Sequence, residues 1–127
     1  MPIRISPDEN QPSASVEIPL EKPLPDYDLD QLEQPTPRDV DAVLVTQGFR
    51  DLVDDARGML MSLLAGSGLD VAQLTGAISA SESEDSYRPG LWIVIHDHHA
   101  PSGTRLSEGR QEKIEDAIDK LVEELGL

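Results

Sequence analysis

The chain has no cysteine among its 127 residues, one tryptophan, one phenylalanine, two tyrosines and only three lysines. Without cysteine there is neither a disulfide nor a thiolate metal site, and redox compartment leaves no mark. Long apolar runs are also missing. The most apolar stretch, residues 59–65, is far shorter than the ~20 residues that span a bilayer. The first ten residues lack a basic segment followed by an apolar one, so no signal peptide is read there. The expected location is inside a cell, or within a particle assembled inside one.

Positive charge is the next shortage. Ten Lys and Arg face 25 Asp and Glu, for a formal net charge of −15. Direct nucleic-acid binding needs a basic footprint to displace counterions from phosphates, and none is present. An anionic membrane surface would repel the chain as well. Scarce lysine and abundant aspartate fit two origins, a GC-rich genome or a salt-adapted proteome. In molar salt, screening shortens to about 3 Å and a carboxylate-rich surface stays soluble.

What is present divides at residue 36. Residues 1–36 hold seven of the ten prolines and no helical apolar period. They read as an extended, acidic arm, disordered alone or docked on a partner. Within it, Ser15-Val16-Glu17-Ile18-Pro19-Leu20 alternates as a strand does. Val16, Ile18 and Leu20, expected to add to a partner's sheet edge, and Tyr27, Leu29 and Leu32 are the expected partner-binding residues of the arm.

Residues 37–127 read as one small α+β domain. A long helix is expected from Pro37, with Thr36 as its cap, along the stripe Val45, Phe49, Leu52, Val53, Ala56, Leu60, Leu63 and Leu64. Gly66 and Gly68 should end it. Residues 69–75 read as a short helical turn. Ser86-Tyr87-Arg88-Pro89-Gly90 reads as a turn between the strands of a small antiparallel hairpin, about 77–84 with 91–97. Leu91-Trp92-Ile93-Val94-Ile95 is apolar on both faces, which predicts a strand that is central in its sheet or covered on both sides, with Trp92, Ile93, Val94 and Ile95 in the core. Ser107 should cap a last helix, with Ile114, Ala117, Ile118, Leu121 and Leu125 as its apolar stripe and Gly126 as its end.

Few residues suggest chemistry. All three histidines lie in His96-Asp97-His98-His99. On a strand, His96 and His98 share one face and could hold zinc or another divalent cation, with His99 as a third candidate ligand. No second ligand set is evident, and the expectation is no cofactor. Ser102 and Thr104 lie near the histidines in sequence, but no glycine-framed nucleophile turn occurs. Gly66-Ser67-Gly68 follows a helix instead of linking strand to helix, so it is no phosphate loop. Asp26-Tyr27-Asp28-Leu29-Asp30 begins like a calcium loop, but Gln31 stands where the glycine belongs.

These readings point away from an enzyme. They imply a structural or assembly protein that works with other protein subunits, as an oligomer or in a larger assembly, such as a virion connector, neck or minor capsid component of a phage or archaeal virus. The alternative is an acidic DNA mimic that inhibits a nucleic-acid-binding protein, of the anti-restriction or anti-CRISPR type.

Overall fold

The computed structural model describes residues 4–20, 37–80, 87–101 and 103–126. The fold is α+β; the described residues form three helices and a four-stranded antiparallel sheet. In chain order these are β1 (Arg4–Pro7), β2 (Ser13–Pro19), α1 (Pro37–Leu44), α2 (Gln47–Leu63), β3 (Leu69–Ala80), β4 (Tyr87–Asp97) and α3 (Glu108–Leu125). The sheet order is β1-β2-β4-β3, so β1 and β3 are its edges.

Residues 13–19 therefore do not act as a free arm. They pair along β4 from Ser13 opposite His96 to Pro19 opposite Gly90. Val16 and Ile18 are fully buried and Leu20 nearly so. The alternation seen in the sequence is a strand, and the sheet it joins belongs to the same chain. Pro19 fits the β2–β4 ladder because of its phase, and Pro89 because it stands where β2 ends. Leu20 N donates to the Pro89 carbonyl at one end, and Asp97 N donates to the Pro12 carbonyl at the other. Since antiparallel bonding alternates, Pro19 lies at a position that owes β4 no N–H.

β4 begins at Tyr87, within the segment expected to turn, and β3 reaches back to Leu69. The hairpin is longer than the expected 77–84/91–97, with residues 81–84 outside the described residues. The supposed helical turn at 69–75 is strand. A register shift between Val71 and Gln73 inserts one extra residue, so the apolar residues Leu69, Val71 and Leu74 carry spacings of two and three. A bulge thus imitates a helical period. Gly90 is a point of close approach: a Cβ there would collide with the Ser79 hydroxyl and stand 3.0 Å from the Ile18 carbonyl.

The expected long helix is two helices. Thr46 interrupts it in extended conformation and caps α2, its hydroxyl accepting from Phe49 N at 3.3 Å. The same hydroxyl donates to the Val43 carbonyl at 2.7 Å. A side chain that satisfies both ends of a break favours the break over continuation. Val45 accordingly falls off the apolar stripe and is 65% exposed. The expected cap, Thr36, lies outside the described residues. α3 is as the sequence indicates, capped by Ser107 and ended by Gly126 at φ 67°.

All three helices pack on one face of the sheet. Ala14, Val16, Ile18, Leu69, Leu74, Leu91, Ile93 and Ile95 meet Val43, Phe49, Ala56, Leu60, Leu64, Ile114, Ile118 and Leu121 in one continuous core. The Phe49 ring occupies the space over Gly76, where a Cβ would stand 2.5 Å from a ring carbon. Trp92 and Val94 point to the other face and are only half-buried. The strand is central, as its two apolar faces indicate; among the described residues, helices cover one of those faces. Among the described residues, no helix is long and apolar enough to cross a membrane.

Candidate functional site

The face opposite the helices is built by strand alternation. Cross-strand rows run across it: Glu17, Trp92 and Thr75; Ser15, Val94 and Gln73; Ser13, His96 and Asp70. Ser6 lies beside Ser15 on the edge strand. Thr75, Gln73 and Asp70 are exposed, and Trp92, Val94 and His96 are half-buried. At the far corner the face is closed: Ser79 is fully buried, and Pro19 and Gly90 are buried with it. Among the described residues, the Ser79 hydroxyl has no hydrogen-bond partner.

The histidines separate. His96 and His98 project to the uncovered face, their rings edge to face at 5.4 Å between centroids. His98 Nε2 pairs with Asp70 Oδ2 across the strands. His99 leaves this face; its ring stands over Gly68, whose φ of +83° already favours glycine. No three His, Asp or Glu side chains among the described residues are gathered tightly enough to form a ready-made metal cage. The sequence grouping of His96, His98 and His99 therefore loses His99, and the strand pairing puts Asp70 beside the other two. The signal that could have found Asp70 was hidden by the reading of residues 69–75 as helix.

Asp97, between the histidines, points inward and is 4% exposed. Its Oδ1 accepts from His99 N at 2.9 Å, and its Oδ2 lies 3.5 Å from Arg110 Nε. Arg110 also donates to the Ser67 carbonyl. This buried carboxylate joins the end of β4 to α3 and to the loop before β3. A buried charge held by several donors is a structural joint. Thr104, weighed as a nucleophile, donates its hydroxyl to the Pro101 carbonyl at 2.6 Å and serves its own turn. Ser102 lies outside the described residues.

Val16, Ile18 and Leu20 are core and offer nothing to a partner. Tyr27, Leu29 and Leu32, with the calcium-like segment at 26–31, lie outside the described residues. Electrostatically the two sides of the molecule differ. On the helix layer Asp51, Asp54, Asp55, Glu112, Glu115, Asp116, Asp119, Glu123 and Glu124 are all exposed. Between α2 and α3, Met59, Ser62, Leu63, Lys120 and Glu124 line an open cleft of about 250 Å³.

Comparison with known proteins adds no relative: no family model matches the chain, and neither a curated protein nor a solved structure is similar to it beyond chance.

Proposed function

We propose that this chain is a non-enzymatic assembly subunit that binds other proteins through the uncovered face of its sheet. The observation that carries this reading is the position of Trp92, the only tryptophan in the chain. It lies half-buried beside Val94, among Ser15, Gln73 and Thr75, on a face that no helix of the described residues covers. Tryptophan concentrates binding energy at protein interfaces, because it brings a large apolar area with few rotamers to freeze. The carboxylates of the helix layer remain hydrated while the weakly charged side docks. A subunit of a larger particle, such as a virion connector, neck or minor capsid component, is the setting this reading implies.

The test is to cross-link the tag-free protein in its native source, identify the partner by mass spectrometry, and measure binding to the purified partner. Trp92→Arg should weaken that binding at least tenfold while the circular dichroism spectrum stays unchanged. The reading fails when Trp92→Arg and Val94→Asp bind like the parent, or when the protein is recovered only as an uncross-linked monomer.

One observation favours a second reading. The exposed carboxylates of α2 and α3 recur along the helices as spaced negative charges, which an inhibitor imitating a DNA backbone would use. That partner would be basic, and its affinity would fall steeply with salt. Replacing Glu115 and Asp119 by lysine would then abolish binding, whereas Trp92→Arg would leave it intact.

A further inference from the structure

We propose that His96, His98 and Asp70 form a surface site for a late first-row divalent cation such as zinc, nickel or copper. The first observation is placement. His96 lies in β4 on the face opposite the helices, His98 follows two residues later in the turn just past the end of β4, its ring beside that of His96, and Asp70 of β3 is the register partner of His96. The second is spacing. Two imidazoles sharing one zinc, with metal–nitrogen bonds of about 2.0–2.1 Å and a tetrahedral angle between them, have centroids roughly 5 Å apart. The His96 and His98 centroids are 5.4 Å apart, so small ring rotations are enough for both nitrogens to face one ion.

The third observation is the carboxylate. Asp70 Oδ2 already contacts His98 Nε2. A cation entering there sits between the two atoms and is held by both. Both side chains are 58% exposed, so they can adjust and water can fill the remaining positions. The chain's net charge of −15 raises the local cation concentration. Imidazole ligands select zinc, nickel and copper over magnesium and calcium, which prefer oxygen. Because the three groups are gathered but not caged, this site is reversible, and the fold does not depend on it.

The experiment uses the full chain with any affinity tag removed, titrated with zinc chloride by calorimetry and followed by histidine NMR resonances. The expected result is one ion per chain, with the His96 and His98 signals shifting. His96→Gln and His98→Gln should each bind at least tenfold more weakly, Asp70→Asn about threefold more weakly, and His99→Gln like the parent. Dichroism spectra and melting curves confirm that each variant is folded. Magnesium chloride should give no matching response; an equal one would mean diffuse attraction by carboxylates and would overturn the site. So would the absence of zinc binding, binding that survives His96→Gln and His98→Gln, or loss of binding in His99→Gln. Unchanged affinity in Asp70→Asn would overturn the three-ligand site.

Discussion

The two faces of the central strand are made from the same kind of sequence and have different fates. In Leu91-Trp92-Ile93-Val94-Ile95, the odd-numbered residues are fully buried under three helices, and Trp92 and Val94 stand on the face the helices leave uncovered. Apolar character alone does not tell the face that the helices cover from the one they leave. What separates them is the company each keeps across the strands. Ile93 lies between Val16 and Leu74, whereas Val94 lies between Ser15 and Gln73. Neighbouring strands, read in register, carry the information that a single strand lacks.

The largest expected effect comes from removing the N-terminal contribution to the covered face. Deleting residues 1–20 strips Val16 and Ile18 from the core and leaves the inner edge of β4 unpaired. A dispensable arm would leave a folded body behind. We expect instead a chain that lacks a cooperative thermal transition, measured by circular dichroism. A truncated protein that melts like the parent would erase the distinction between core strand and appendage.

A smaller effect compares neighbours directly. Ile93→Ala should cost about 2–5 kcal/mol, the usual range for truncating a fully buried aliphatic side chain. Val94→Ala, one residue away on the uncovered face, should cost under about 1 kcal/mol, since partial exposure leaves less area to lose. Urea denaturation of the two variants checks this. Equal losses would mean that the second face is covered after all.

How much of this was legible beforehand follows from where the chain obeys a single period. The last helix was readable to within its caps, because Ser107, the stripe from Ile114 to Leu121, and Gly126 agree with one another. The strand Leu91–Ile95 was also readable, but not which of its faces the helices would take. Errors arose where one residue changed the phase or the local logic. Thr46 satisfied its own backbone and split the first helix, although apolar steps of three and four run through it. The bulge after Val71 disguised the start of β3 as a helical turn and so hid Asp70. Pro89 and Gly90 signalled a turn, yet both are tolerated in β4, the first because it stands where β2 ends and the second by its lack of a side chain. The N-terminal strand was recognised from its alternation, but strand partners many residues apart leave no local trace. His96 and His98 were placed on one face by the period of two, while His99 escaped it at the end of the strand.

The smallest expected effect probes the one corner where the uncovered face is itself closed. Ser79 belongs to that face by alternation, yet it is fully buried and its hydroxyl lacks a partner among the described residues. A buried hydroxyl that makes no hydrogen bond has lost water without compensation, at a cost of roughly 1–3 kcal/mol. Ser79→Ala removes the hydroxyl and its desolvation together, and it relieves the crowding against Gly90, whose vacant Cβ position the hydroxyl occupies. The cavity left behind is a single oxygen, so the packing loss offsets only part of the gain. The variant should be more stable than the parent by about 0.5–1 kcal/mol, read as a higher urea midpoint with unchanged slope. A destabilised Ser79→Ala would show that the hydroxyl is bonded in solution. The corner would then be polar and hydrated, like the Ser13–His96–Asp70 row at the opposite end of the same face.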